Sequence, residues 1–389
     1  MARRPRIVVI GAGIIGTSIA WRLAVRGVSV TIVEAAFPGA GTTGRSLAWV
    51  NASSKLDSSR EYFDLAVRAT AEHHALANAL GDPRSFHPTG NIEISREPED
   101  ADRLRSKVAR LRERGYRADL VPVRELGQLE PGLELPATTI AAYYGDEGWV
   151  DGPAMARALL ERAGRSGAKV LLQTAAEQLV LKNGAVTGVA LVGREIVPAD
   201  TVVIATGPST QEFLAGLGVD VPLAQFEGDD SQAAGLLVTV LPTAGGPNTV
   251  LHGGEVNWAP RPSGYAVLAS ASADGVIAGD RSSETVRATA GGLLERAAGL
   301  SARFAGASLE QSQIGLRALP IDGWPVCGWI NSIGGLYVVV THSGITLAPL
   351  LSRLAAEEIV EGVEAAVLSP FRPSRFDDAA AGEPAAADE

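Results

Sequence analysis

A single cysteine, Cys327, stands in 389 residues. It excludes an internal disulfide and any metal site built on a cysteine cluster, so no metal is expected. The reducing cytoplasm is the compartment that fits. Lysine is almost as scarce: Lys55, Lys107, Lys169 and Lys182 stand against thirty arginines, and none follows residue 182. No stretch forms a basic patch and the formal net charge is −10, so nucleic acid is not an expected partner. Half of that charge comes from Asp377, Asp378, Glu383, Asp388 and Glu389, in an Ala-rich acidic tail (377–389) that reads as disordered. No apolar run approaches the roughly 20 residues that span a bilayer, so no membrane is expected either. The basic-then-apolar start could pass for a signal peptide, but its glycines have a better explanation. What remains is the balance of a soluble globular protein, 46% hydrophobic and 20% charged, long enough for two or three domains.

The strongest pattern is at the N-terminus. Residues 6–10 (RIVVI) read as a buried strand, followed by Gly11-Ala12-Gly13-Ile14-Ile15-Gly16 and a helical segment over 17–26. Gly27 closes that helix, and a second strand pattern over 28–33 ends at Glu34. Gly11 suits the tight turn, Gly13 a close backbone approach to a pyrophosphate, and Gly16 tight helix–strand packing, with the helix N-terminus toward the phosphates. Glu34 is placed to accept hydrogen bonds from ribose hydroxyls and to repel a 2′-phosphate. The spacing predicts dinucleotide binding through Gly11, Gly13, Ile14, Ile15, Gly16 and Glu34. A small, hydroxyl-rich loop follows, with Thr42, Thr43, Gly44, Arg45 and Ser46. Its extra donors suit a flavin, whose chain is longer than that of a nicotinamide dinucleotide.

Strand patterns at 168–174 and 201–206, the second ending in Thr206-Gly207, read as the same domain resumed. Ala176, just past the first of them, is counted with the cofactor-binding residues. A short meander (186–192, 195–197) surrounds Asn183-Gly184, and a helix over 151–166 starts at Asp151. The intervening stretches differ. Residues 81–143 hold a charged helix (97–114). Residues 223–313 alternate short strands (235–240, 265–271) with Gly/Pro turns and an Ala-rich helix (285–300). The expected fold class is α/β, with α+β in the second domain. A discontinuous Rossmann-type nucleotide-binding domain (1–80, 144–222, 314–376) is interleaved with an antiparallel-sheet substrate domain (81–143, 223–313). Near the C-terminus an apolar run (336–340) meets Thr341-His342-Ser343-Gly344 and a helical pattern, a second strand–glycine turn–helix.

Together these pieces resemble the D-amino acid oxidase (DAO) superfamily of FAD-dependent oxidoreductases, in its glycine oxidase-like and sarcosine oxidase-like branch. The markers are Gly11-x-Gly13-x-x-Gly16 with Glu34, Thr42-Thr43-Gly44, Asp146-Glu147-Gly148-Trp149-Val150-Asp151 and Ala205-Thr206-Gly207. Gly315-Leu316-Arg317, then Pro320-x-Asp322-Gly323-x-Pro325 and the 341–349 stretch complete them, in the family's order over nearly the whole chain. The resemblance implies oxidation of the C–N bond of an amino acid or amine by hydride transfer to flavin N5, giving an imine that hydrolyses. It places the turn of Ser343, Gly344, Ile345 and Thr346 at the flavin ring, with Thr346 as the N-cap candidate. Arg317 takes the position of the substrate-carboxylate arginine beside the cofactor. Asn257 or Trp258 stands where relatives carry a tyrosine, which points to a larger amine than glycine. His342 either bonds near the flavin or caps its turn, and Trp49 packs near the flavin or in the core.

Two absences shape the expectation. Sarcosine oxidases attach flavin through a cysteine near the position of Arg317, and Cys327 lies about ten positions later, so FAD is expected to be non-covalent. They also activate oxygen with a substrate-domain lysine, and none exists here. Either oxygen is activated otherwise or another acceptor takes the electrons. Two alternatives stay open: a flavin monooxygenase, for which the Gly-Asp pair of Gly279-Asp280-Arg281 lies in the wrong region, and an FAD-bound subunit of a larger amine dehydrogenase. Nothing in the sequence specifies an oligomer.

Overall fold

The computed structural model describes residues 4–81, 85–193, 195–225 and 233–377. From residue 378 onward, the expected disordered tail lies outside the described residues. The chain divides into two compact units. Met1–Gly44, Pro153–Ala224 and Ala318–Glu389 form the first, and Arg45–Gly152 with Gln225–Arg317 form the second.

At the centre of the first unit is a six-stranded sheet, ordered Val326–Trp329, Leu336–Val340, Thr201–Ile204, Arg6–Ile10, Ser29–Val33, Lys169–Leu171. All neighbours are parallel except the first pair. Parallel strands covered on both faces are apolar throughout. Val8, Val9, Ile10 and every residue of Leu336–Val340 are 5% exposed or less. The helices Ile14–Val25 and Gly344–Glu361 pack against one another. The expected 168–174 strand ends at Leu171, and a separate meander of Ala176–Lys182, Ala185–Leu191 and Ile196–Pro198 follows. Asn183 and Gly184 turn it at φ +52° and +75°. Two positive φ values are what a two-residue hairpin loop requires, and Asn-Gly supplies them cheaply.

The second unit carries an eight-stranded sheet, ordered Ser308–Leu316, Ala234–Leu241, Ala266–Ala269, Asn257–Pro260, Val250–His252, Asn91–Ser95, Ile140–Tyr144, Asp119–Leu120. It is antiparallel apart from one pair, Val250–His252 with Asn91–Ser95. Alternation sorts its faces. Leu236, Val238, Leu251, Trp258 and Leu268 pack with Ile277, Leu293 and Phe304 of the helical layer. Asn257, Ala259 and His252 belong to the opposite face. The helix Ala271–Gly279 was not legible in the sequence, being short and rich in Ala, Ser and Gly.

The expected boundary at 80/81 falls instead at 44/45, so residues 45–80 belong to the second unit. Packing is the reason. Phe63, on the helix Arg60–Leu80, meets the Tyr116 ring at 5.9 Å, and the Ala52 and Ser53 N–H groups are bound by Glu147. An amphipathic helix announces that it packs, not which sheet it packs on. The other boundaries fall at 152/153, 224/225 and 317/318, against 143/144, 222/223 and 313/314 from the sequence. Among the described residues no helix is long and apolar enough to cross a membrane, and no His/Cys/Asp/Glu cluster could hold a metal.

Candidate functional site

In the first unit, four adjacent parallel strands deliver four of the singled-out segments at their C-terminal ends. Leu336–Val340 leads to Thr341-His342-Ser343-Gly344, Thr201–Ile204 to Ala205-Thr206-Gly207, Arg6–Ile10 to Gly11, and Ser29–Val33 to Glu34. In open α/β sheets this edge is where ligands bind. Ala176 follows the end of the fifth strand, where the Thr174 N–H donates to the Glu34 carbonyl at 2.8 Å. Gly207 turns at φ +59°, and the Thr206 and Thr210 hydroxyls lie 3.1 Å apart.

Two of the three fingerprint glycines are dictated by space. A Cβ on Gly11, which turns at φ +101°, would stand 2.4 Å from the Ala205 carbonyl oxygen. A Cβ on Gly16 would stand 1.9 Å from the Gly11 carbonyl oxygen. Gly13 is the N-cap of Ile14–Val25 and offers no capping side chain; the Thr43 hydroxyl accepts the Ile14 N–H at 3.0 Å. The Ile15 and Gly16 N–H groups therefore have no acceptor inside the helix, which leaves them for an anion. Glu34 crosses the turn. One carboxylate oxygen accepts the Ala12 N–H at 2.7 Å and the other the Ala36 N–H at 2.8 Å. Two backbone donors fix the carboxylate and leave lone pairs for hydroxyl donors. This cradle fits the adenosine and pyrophosphate part of a dinucleotide.

The second glycine turn lies beside the first. A Cβ on Gly344 would be 3.8 Å from Ile15 and 3.9 Å from Ile14. Two helices thus begin at one place, each with a positive end. The N-cap is Ser343 rather than Thr346, which sits inside the first turn and is 3% exposed. The Thr341 hydroxyl accepts the Ser343 N–H at 3.1 Å, and the helix starts three residues earlier than a Thr346 cap would start it. Ile345 is buried beside it, and His342 is exposed. Thr42 and Gly44 belong to the same unit, whereas Arg45 and Ser46 belong to the other.

Of the four substrate candidates His342 lies in the first unit, and the three in the second separate. Trp258 is fully buried in the helix-side core, its ring 5.0 Å from Phe304, and does not line the opposite face. Asn257 does, paired across the hairpin with His252, and its Oδ1 accepts the Gly253 N–H at 3.3 Å. Arg317 pairs with Asp274 and donates to the Ala234 carbonyl at 2.8 Å. Ser46 lends its carbonyl to Arg261 Nη2 at 2.7 Å.

Sequence reasoning missed the polar hub of this face. The Glu147 carboxylate, 0% exposed, accepts from Tyr116 Oη at 2.8 Å, Ser53 N at 2.9 Å, Trp49 Nε1 at 3.0 Å and Asn91 Nδ2 at 3.1 Å. Burial pushes its carboxyl above the ordinary range, against the Ser53 and Tyr116 donors and the charge of Lys107. Because the Asn91 amide donates to Glu147, its oxygen accepts from His252 Nδ1 at 2.9 Å, which leaves Nε2 of His252 as an acceptor. The His252 ring lies 3.9 Å from the Trp49 ring, and burial pushes its pKa down to about 4. Ala48, at φ +55°, turns the chain just before Trp49. His252 and Asn257 help line a cleft of about 970 Å³. Glu147 could have been suspected from its place in the Asp146–Asp151 marker. His252 carried no local signal.

Two of the remaining motifs have structural tasks. Asp280, of Gly279-Asp280-Arg281, accepts the Ser282 N–H at 2.8 Å and the Ser282 and Thr285 hydroxyls at the start of Ser283–Ala298. That occupies the acid a monooxygenase would direct at its flavin. Cys327 is fully buried with its sulfur 3.4 Å from Tyr337 Oη, and burial pushes the thiol up to about 12.

Known proteins share this fold. The glycine oxidase of Geobacillus kaustophilus is 27% identical over 384 residues, spanning 96% of this chain and 98% of that protein. The crystal structure of glycine oxidase from the same organism matches with a TM-score of 0.81 at 26% identity, over 95% of this chain and 99% of the other. The L-amino acid deaminase of Proteus vulgaris shares the fold at 21% identity, with a TM-score of 0.81 over 97% and 95% of the two chains. The family model of FAD-dependent oxidoreductases called DAO matches residues 6–358. Its two domain types, one for FAD and one for substrate, correspond to the parallel and antiparallel sheets described above, and the chain belongs to the DAO family of FAD-dependent oxidoreductases.

Proposed function

We propose that this enzyme oxidises the C–N bond of an amino acid or related primary or secondary amine to an imine, which water then hydrolyses. The observation that carries the reading is the convergence of two helix starts, at Gly13–Ile15 and Ser343–Gly344, on one end of the parallel sheet. The first cradle receives the pyrophosphate and Glu34 the ribose. Thr42, Thr43, Gly44, Ala176, Thr206 and Gly207 supply further cofactor contacts. The Gly344, Ile345 and Thr346 N–H groups stabilise negative charge at the ring end. FAD, when bound, supplies the two-electron acceptor for the hydride that leaves the carbon beside nitrogen. The protein's own part is to hold a neutral amine in a fixed pose away from water. His252, neutral above about pH 4, offers Nε2 as an acceptor for the substrate N–H, and Asn257 is its neutral neighbour. Neither stabilises a protonated amine as a carboxylate would.

Held away from solvent at Tyr337, Cys327 supports non-covalent FAD, and one buried thiol suits the cytoplasm. Oxygen or another acceptor takes the electrons onward. The test is the visible spectrum of the purified protein, recorded anaerobically as D- and L-amino acids, N-methyl amines and primary amines are added in turn. Bleaching by one class establishes the chemistry, and admitting air then separates an oxidase from a dehydrogenase. A flavin that none of them bleaches overturns the assignment.

A further inference from the structure

Arg317 follows the strand Ser308–Leu316 at the position the resemblance gives to a carboxylate-binding arginine, yet its guanidinium already holds a carboxylate. One terminal nitrogen pairs with Asp274 and the other donates to the Ala234 carbonyl. Asp274 is itself well held. It lies in the first turn of Ala271–Gly279, where the helix dipole favours an anion, and its second oxygen accepts the Leu236 N–H at 2.8 Å. The Ser270 hydroxyl caps the same turn by accepting the Ala273 N–H at 3.1 Å. The neighbouring strand makes room: a Cβ on Gly235 would stand 2.7 Å from Arg317 Nη2 and 3.5 Å from Asp274 Oδ1. A strand glycine, a capped helix start and a backbone donor all serve this one pair. The pair is not sealed in the core, since the two side chains are 32% and 16% exposed.

A substrate carboxylate would have to displace Asp274 or share the guanidinium with it. Displacement leaves an anion in a half-buried site without its cation. Sharing sets two carboxylates against one positive charge. Either costs the amino acid the affinity that an uncommitted arginine would give, and specificity is often built from such repulsion. We infer that Asp274 is a specificity-determining residue: as an internal carboxylate on Arg317, it turns the site away from α-amino acids toward amines without a free α-carboxylate. The inference rests on C–N oxidation as proposed above and names the substrate class of that site.

The experiment uses FAD-loaded wild type, Asp274→Asn and Asp274→Ala, with two readouts. Calorimetric titration with propionate reports carboxylate binding without turnover. Anaerobic flavin reduction compares amino acids with the amines that lack only the carboxylate. Wild type is expected to bind propionate weakly and to prefer the amines. Asp274→Asn, which keeps the Leu236 contact, is expected to gain at least tenfold in propionate affinity and to shift the rate ratio at least tenfold toward amino acids. Wild type preferring the amino acids, or propionate affinity within twofold in both variants, overturns the inference. If no amine or amino acid reduces the flavin, the C–N reading fails separately. The titration then still decides the pair: a tenfold gain upholds Asp274 as the internal carboxylate, and an unchanged affinity refutes it.

Discussion

The strand-end edge of the first unit and the open sheet face of the second are built in opposite ways. The first is a backbone site: Gly11, Gly16 and Gly344 matter for atoms they lack, and the donors are main-chain N–H groups at two helix starts. The second is a side-chain site. Glu147, Asn91, His252 and Trp49 come from separate stretches and are defined by whom they meet. A backbone site binds what every member of a family shares. A side-chain site is free to change, and the Arg317–Asp274 pair belongs to this second kind.

The sharpest way to break the first region is Gly16→Ala. With a Cβ only 1.9 Å from the Gly11 carbonyl, the turn and helix must part, at a cost of about 3 kcal/mol or more. The variant is expected to purify without flavin colour or to fail to fold, and wild-type FAD content would show that the turn relaxes freely. The matching lesion in the second region is Glu147→Ala, which strands buried donors from Tyr116, Trp49, Asn91 and Ser53. A loss of about 3 kcal/mol is expected in urea unfolding. A loss under about 1 kcal/mol would mean that water replaces the carboxylate.

A gentler probe of the first region is Glu34→Ala. FAD affinity of the reconstituted apoprotein is expected to fall about tenfold, about 1.4 kcal/mol, as charge-assisted bonds to hydroxyls are lost. The last probe, His252, is read as a slope against pH. Its imidazole is neutral in the fold down to about pH 4 but takes a proton near 6.5 when unfolded, so it makes stability fall as pH drops through that window. Glu147, with its carboxyl pushed up, slopes the other way, so the difference between wild type and His252→Gln is the quantity to measure. Identical pH dependences in the two proteins would place His252 in contact with water.

Legibility followed the same divide. The Gly11–Gly16 turn, Glu34 and the Asn183-Gly184 hairpin each rest on contacts within one short segment or its immediate neighbour, and a sequence displays those. Thr346 looked like a cap because a hydroxyl precedes an apolar helix, but the Thr341 hydroxyl had already closed the turn. Trp258 and Asn257 are adjacent and point to opposite faces, a distinction that one residue of register reverses. Residues 45–80 were misplaced for a related reason, since their partners at Tyr116 and Glu147 lie far along the chain.

By itself, then, the sequence determined the dinucleotide cradle, the family and the alternation of two sheet types, because glycine conformations, strand periodicity and helix starts are local and short in range. Only the tertiary structure decided which side chains share a face, that Glu147 is a buried hub, and that Arg317 meets Asp274. Those outcomes depend on strand order and register, which bring distant residues together through non-directional burial that no short window of sequence encodes.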